Sequence, residues 1–256
     1  MIKMSKKAEE NSLKTNQSSL RKRYKIRYVF RLSILVYAFI MMYFVNPESL
    51  SVLNGSNFFH DFTWGHVLWI VWIIDMVLQL IPTKGYLPIG STKKFKEFYQ
   101  SVKNLPNKKE FISLFKKSSL DALKTLIIWI ILIAVIGILW GKGLLTQREL
   151  LLISVIFYVL DLTFVLFWCP FRAWILKNRC CTTCRIFNWD HLMMFSPILF
   201  VRGFYAYSLF GMSIVNFLVW ELCFFLHPER FFEETNATLR CSNCNDKLCG
   251  NKNCKL

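Results

Sequence analysis

In residues 120–140 only three side chains are polar, Asp121, Lys124 and Thr125, and all three fall within the first six positions. The rest is Leu, Ile, Val, Ala, Gly and Trp. A helix at the surface of a soluble domain shows apolar residues at a 3.6-residue period, because only one face is buried. A helix that is apolar all round belongs in hydrocarbon, whose core is roughly 30 Å thick and takes about 20 helical residues. Four more runs behave the same way. Residues 28–45 carry one charge, Arg31. Residues 62–81 are interrupted by His66, Asp75 and Gln79, residues 150–170 by Asp161, and residues 203–226 by Asn216 and Glu221. The chain therefore reads as an all-α, polytopic helical membrane protein. Eight of the nine tryptophans, Trp64, Trp69, Trp72, Trp140, Trp168, Trp174, Trp189 and Trp220, fall mainly near the ends of these runs and read as interfacial belt residues.

A sixth run, 186–201, is short and contains Asn188, Asp190 and Pro197. As an α-helix its 16 residues would cover about 24 Å, less than the core. Charge bears on whether it crosses. Residues 1–27 carry nine Lys or Arg, 46–61 none, 82–119 nine, 141–149 two, 171–185 four and the tail from 227 five. Positive loops stay inside. That rule puts the N-terminus, the 82–119 loop, the 171–185 loop and the tail on the cytoplasmic side, which needs an even number of crossings. The expectation is about six spans, with five plus a re-entrant 186–201 segment as the alternative.

Three regions follow: a basic, disordered cytoplasmic N-terminus at 1–27, a transmembrane domain at 28–226 and a Cys-rich cytoplasmic tail at 227–256. The first apolar run lacks a small-residue cleavage site and reads as an uncleaved anchor. Abundant Lys, Ile, Phe and Asn suit an AT-rich genome, and the expected location is a bacterial plasma membrane. The net charge of +16 follows from the cytoplasmic loops and needs no nucleic acid. In the 82–119 loop, Phe95, Phe98, Tyr99 and Val102, then Phe111, Leu114 and Phe115, recur at helical spacing among lysines. This predicts two short amphipathic helices on the anionic lipid of the inner leaflet.

Eight of the nine cysteines fall into two clusters, Cys169, Cys180, Cys181 and Cys184, and Cys241, Cys244, Cys249 and Cys254. In a reducing cytoplasm such grouping means metal or redox chemistry rather than structural disulfides. Four thiolates suit a tetrahedral ion. Two arrangements are open. Each cluster holds its own ion, with Cys169 and Cys180 as outlying donors in the first. Otherwise Cys181 and Cys184 join Cys241 and Cys244 in one site, with Cys249 or Cys254 as further donors. Arg179, Arg185 and Arg240 flank the sulfurs and should lower their pKa values. Zinc is the expected ion. An iron–sulfur cluster is the alternative, although the ferredoxin spacing is missing.

The tail spacing C-x2-C-x4-C-x4-C resembles the zinc knuckle over 14 residues, with Cys249 where that family has histidine. The resemblance implies a chain able to wrap one ion. The knuckle's aromatic and glycine positions are mostly absent, so nucleic-acid binding is not implied.

Asp75, Asp161 and Glu221 lie inside apolar runs, where ionisable groups normally face the bundle interior or a wet cavity. One reading pairs Asp75 or Glu221 with Arg31 to fix helix packing; the other has some of the three line a path for protons or cations. The low glycine count and the lack of an internal repeat favour packing. No HExxH, GxSxG or phosphate-cradling loop occurs. His191 is the best acid–base candidate, against the simpler reading of a satisfied interfacial histidine. The first functional expectation is a membrane protein whose cysteine-held metal ties loop to tail and forms a docking surface for a protein partner or a second copy. The others are an iron–sulfur protein passing electrons to quinone, and a small transporter or channel using the buried carboxylates.

Overall fold

The computed structural model describes residues 22–45, 47–60, 62–82, 89–178 and 183–243. Among these the chain is helical, and no strand forms beyond two isolated bridges, Gly55 with Gly203 and Ser101 with Asn236. Four helices are long and apolar enough to cross a membrane: α1 (Lys22–Val45), α3 (Lys108–Gly141), α4 (Gln147–Leu166) and α6 (Phe204–Leu226). A shorter apolar helix, α2, spans Trp64–Leu80, and a six-residue helix, α5, spans Asp190–Phe195. The outer faces are apolar and open. Ile127, Ile130 and Ile131 of α3 and Leu222 and Phe225 of α6 are all at least half exposed. A soluble monomer rarely shows so continuous an apolar surface.

The helix boundaries follow from local sequence. Asn107 and Glu110 form a reciprocal cap on α3, the Glu110 carboxylate accepting from the Asn107 N–H at 3.1 Å. Thr146 and Glu149 do the same for α4. The tight α3–α4 turn uses Gly143 at φ 72, a left-handed conformation that glycine adopts without steric cost.

No helix breaker separates Lys108 from the apolar run, so α3 is continuous over 34 residues. At about 1.5 Å per residue it exceeds the hydrocarbon thickness by roughly 20 Å. The expected second amphipathic helix is thus the protruding start of α3. Its apolar face meets protein: Phe115 stacks on Phe224 at 5.1 Å and Phe111 meets Phe232 at 5.8 Å. The first expected helix is replaced by a single turn, Ile89–Thr92, and a 3-10 turn, Lys96–Phe98, with Phe95 packed on Trp220 at 5.2 Å. Lys108, Lys109, Lys116 and Lys117 remain exposed.

The 186–201 run is buried at the centre of the bundle. It is built from the 3-10 turn Arg185–Asn188, α5 and the 3-10 turn Pro197–Phe200, and it packs on α4 and α6. Ile186, His191, Met194, Phe195, Ile198 and Val201 are buried. Irregular backbone that is buried away from water needs partners within the protein, and polar side chains along the segment also find them. Ser196 Oγ accepts from Trp129 Nε1 at 3.0 Å, and Asn188 Oδ1 accepts from Ser91 Oγ at 2.6 Å. At the far end of the segment, Gly203 N–Cα–C lies against the 47–60 connection. The Gly55 N–H donates to Arg202 O at 3.0 Å and the Phe204 N–H to Gly55 O at 3.2 Å.

A Cβ at Gly203 would lie 2.0 Å from Leu53 O, a backbone atom, whereas one at Gly211 would meet nothing within 4 Å. Gly203→Ala should therefore cost about 1–3 kcal/mol through forced backbone shifts, while Gly211→Ala should be neutral or stabilising. Thermal unfolding of the two variants in nanodiscs checks this. Equal midpoints would contradict the close approach.

Candidate functional site

Polar residues in apolar helices must be turned toward one another, because lipid offers no hydrogen bonds. Arg31 of α1 is such a residue, with a side chain only 12% exposed. Its Nη1 donates to Asp161 Oδ2 at 2.7 Å and to the Tyr158 carbonyl at 2.8 Å, both on α4. Its Nη2 donates to Asp75 Oδ2 of α2 at 3.4 Å. The guanidinium also lies 4.0 Å from the centre of the Tyr158 ring. One cation thus joins three helices. Tyr158 and Asp161 are three residues apart and share a helix face.

The broken central segment adds to this cluster. His191 is 3% exposed. Gln79 Nε2 donates to Asp190 Oδ1 at 2.9 Å, which makes Gln79 Oε1 an acceptor. That oxygen accepts from Asn216 Nδ2 at 3.1 Å and faces His191 Nδ1 at 2.8 Å. The network therefore assigns a proton to Nδ1. Asp190 Oδ1 lies 3.3 Å from the same nitrogen. The second ring nitrogen, Nε2, sits 3.5 Å from Asp75 Oδ2, an ion-pair distance without hydrogen-bond geometry, and is buried without a hydrogen bond among the described residues. Asp75 and Gln79 are four residues apart on α2, so one face of that helix presents both.

Asp75, Asp161 and Asp190 line a cavity of about 270 Å³ that also meets Tyr24, Arg27 and Arg31. Asp75 and Asp161 keep 35% and 24% of their side chains open. Since Tyr24 and Arg27 stand in the first two turns of α1, the cavity reaches the bundle end that carries the basic loops.

Glu221 belongs to a separate cluster. Arg185 binds it through Nε at 3.3 Å and through Nη2, and Trp189 Nε1 donates to it at 2.8 Å. Arg185 Nη1 donates to Ser119 Oγ at 2.8 Å, and its guanidinium lies 3.9 Å from the Phe224 ring centre. This clamp joins α3, the central segment and α6. It also corrects the expectation that Arg185 acidifies the neighbouring thiol. The guanidinium is committed to Glu221, and burial pushes the Cys184 thiol up to about 12. Arg240, beside Cys241 in sequence, donates through its Nε to Glu233 O at 2.9 Å.

The two cysteine clusters lie largely outside the described residues, which exclude Cys180, Cys181, Cys244, Cys249 and Cys254. Cys241 opens a 3-10 turn, Cys241–Asn243. Among the described residues, no group of three or more His, Cys, Asp or Glu could hold a metal ion. Cys184 is buried and Cys169 half-buried. The π-turn Phe171–Leu176, followed by Lys177 at φ 49, folds the chain back so that both line a second cavity of about 290 Å³. The 82–119 loop and the first part of the tail are joined by hydrogen bonds. Ala237 N–H donates to Gln100 O at 2.7 Å, and Asn236 Nδ2 to Lys93 O at 3.0 Å. Lys94 is fully buried here. Its Nζ donates to Cys184 O at 3.1 Å and lies 5.1 Å from the Phe231 ring centre, and burial lowers its pKa to about 8.

No protein-family model, curated protein or solved structure matches the chain.

Removing one partner of a buried ion pair leaves an uncompensated charge and typically costs about 3–5 kcal/mol. Arg31→Met should lose that much stability, and adding Asp161→Leu should restore part of it. Denaturant unfolding of the single and double variants in nanodiscs measures the coupling. Additive losses would mean that the pair does not hold α1 to α4.

Proposed function

We propose that this protein is a six-span membrane protein that binds a proton or a small cation, in exchange for one another, at the Arg31–Asp75–Asp161–Asp190–His191 site. The observation that carries the reading is the charge balance of the cavity. Three carboxylates line it against two guanidiniums, Arg27 and Arg31. Neutrality needs one more positive charge, and an uncompensated one costs about 2.5–3.5 kcal/mol near the centre of a bilayer. A proton on His191 supplies it, bringing Nε2–H toward Asp75. A cation held by the carboxylates supplies it equally well. The two should therefore compete, which is the chemistry of a proton-coupled exchanger.

The six-span reading rests on segment 185–203 as a crossing. Arg185 at one end binds Glu221 near the end of α6, and Gly203 at the other sits beside Gly55 at its start. A 3-10 turn rises about 2.0 Å per residue against about 1.5 Å for α-helix, so the broken segment outreaches a continuous helix of equal length. With the basic loops inside, the site lies in the cytoplasmic half. A discontinuous element at the bundle centre is where transporters commonly build such sites.

Charge-displacement currents on solid-supported membranes test this. Wild type should respond to a pH jump and to jumps of sodium, potassium or methylammonium, with the cation signal shrinking as pH falls. Asp161→Asn and His191→Gln should each reduce the responses at least tenfold. A wild-type protein silent to every jump would overturn the reading.

The cysteine-held metal is a second reading, supported by Cys169 and Cys184 lining one cavity. In it, zinc or an iron–sulfur cluster at the cytoplasmic face holds the Cys-rich tail against the loop and shapes a surface for a protein partner. Elemental analysis of protein purified without chelator should find about one zinc per chain, lost in Cys184→Ser. A brown preparation would favour iron bound by thiolates. Metal-free wild type would remove this reading.

A further inference from the structure

The cavity beside Cys169 and Cys184 also reaches the charge site. Asp161, Val165, Phe187 and Asp190 line both cavities, so two carboxylates stand in a wall between a polar chamber and an apolar one. The apolar chamber exists because α3 and α4 diverge after their common turn. α3 packs on the turns at 171–176, 185–188 and 197–200 rather than along α4. Trp129 and Leu132 of α3, Phe157 and Phe164 of α4, and Met193 and Met194 of the central segment form its sides. Leu132 is 40% exposed, and its neighbours Ile128 and Ile131 are more open still. The chamber therefore faces the surface that the lipid covers.

We propose that this chamber binds an amphiphilic amine, a molecule with one ammonium head and an apolar tail, entering from the bilayer. The proposal rests on the exchange reading above and names the class of cation that replaces the proton. The head is chosen by charge. The bonds to Arg31 and Gln79 use Oδ2 of Asp161 and Oδ1 of Asp190, so the other oxygen of each can receive an ammonium. An anionic head would meet three carboxylates, and a neutral head would leave the balance uncorrected. The unbonded Nε2 of His191, buried and directed at Asp75, marks where the displaced proton resides. The tail is chosen by the walls. Aromatic rings and methionines make a soft, adaptable lining, and Trp129 and Phe157, whose rings lie 5.1 Å apart, offer π-faces to a cation passing inward.

Dodecylamine is the probe, with dodecanol and dodecanoate as controls. Dodecylamine should suppress the wild-type proton-jump current at least tenfold at concentrations where the controls do not. Leu132→Trp, which fills the chamber mouth, should weaken that suppression at least tenfold. Ile131→Trp, on the outward face, should leave it as in wild type. Native mass spectrometry should count one dodecylamine per chain, lost in Leu132→Trp, independently of any current. Equal suppression by dodecanol would mean that the chamber holds only a lipid tail, and would overturn the proposal. A normal proton current untouched by dodecylamine would also overturn it while the exchange reading stands. A stoichiometric adduct without any proton current would support the chamber and sink exchange.

Discussion

A guanidinium placed in hydrocarbon dictates its surroundings. Arg31 stands a few residues into an apolar helix, and it is always charged. It must find acceptors within the bundle or the helix will not stay there. Its two terminal nitrogens reach α4 and α2 together, so α1 has one rotation and one depth at which that is possible. Few of the outward side chains of α1 are specific: Val29, Phe30, Val36 and Phe39 are exposed. Apolar packing against lipid-like surfaces discriminates poorly between registers. The ion pairs supply that discrimination, at a net energy that need not be large.

The second constraint is the polar backbone of the central segment. A broken helix cannot sit against lipid, so the other helices must surround it. The Arg185–Glu221 clamp fixes one end and the Gly55–Gly203 contact the other. Between them, α5 carries Asp190 and His191 to Gln79 and Asn216. The segment is therefore the axis around which the bundle is assembled, and it also delivers the titratable residue.

Much of this was legible in the chain. Arg31, Asp75 and Asp161 declare themselves as lone polar residues in apolar runs, and the spacing of Asp75 and Gln79 marks an inward face. The Arg31–Asp75 contact was legible as one option, whereas the Arg31–Asp161 bond and the pairing of Glu221 with Arg185 instead of Arg31 were not, because helix rotation depends on contacts between distant segments. The sequence marked His191 only as a histidine in a short, interrupted run; its contact with Gln79 and its nearness to Asp75 depend on how the broken segment 185–203 threads between α2 and α6, which no local pattern records. The periodicity of Phe111 and Phe115 was correctly helical, but a period cannot tell a lipid surface from the aromatic tail that covers it. Arg185 was assigned to the thiols by proximity in sequence. In space it faces Glu221, a residue 36 positions away, and a carboxylate outcompetes a buried neutral thiol for a guanidinium.

If the cluster performs the proposed exchange, it serves architecture and chemistry together, and the two demands are compatible because its charge is incomplete. A fully neutral Arg–Asp pair would lock α1 to α4 and do nothing else. Here the pair is embedded among further carboxylates, with one imidazole nitrogen left unbonded beside Asp75. In the proposed exchange the Arg31–Asp161 bond can persist through either occupancy, since it uses one carboxylate oxygen of Asp161 and leaves the other for the arriving cation. The helices can thus remain assembled while the net charge of the central segment's environment changes. Under that proposal the residues that hold the fold are separate from those that respond: Arg31 anchors, and His191 would report which positive charge is present.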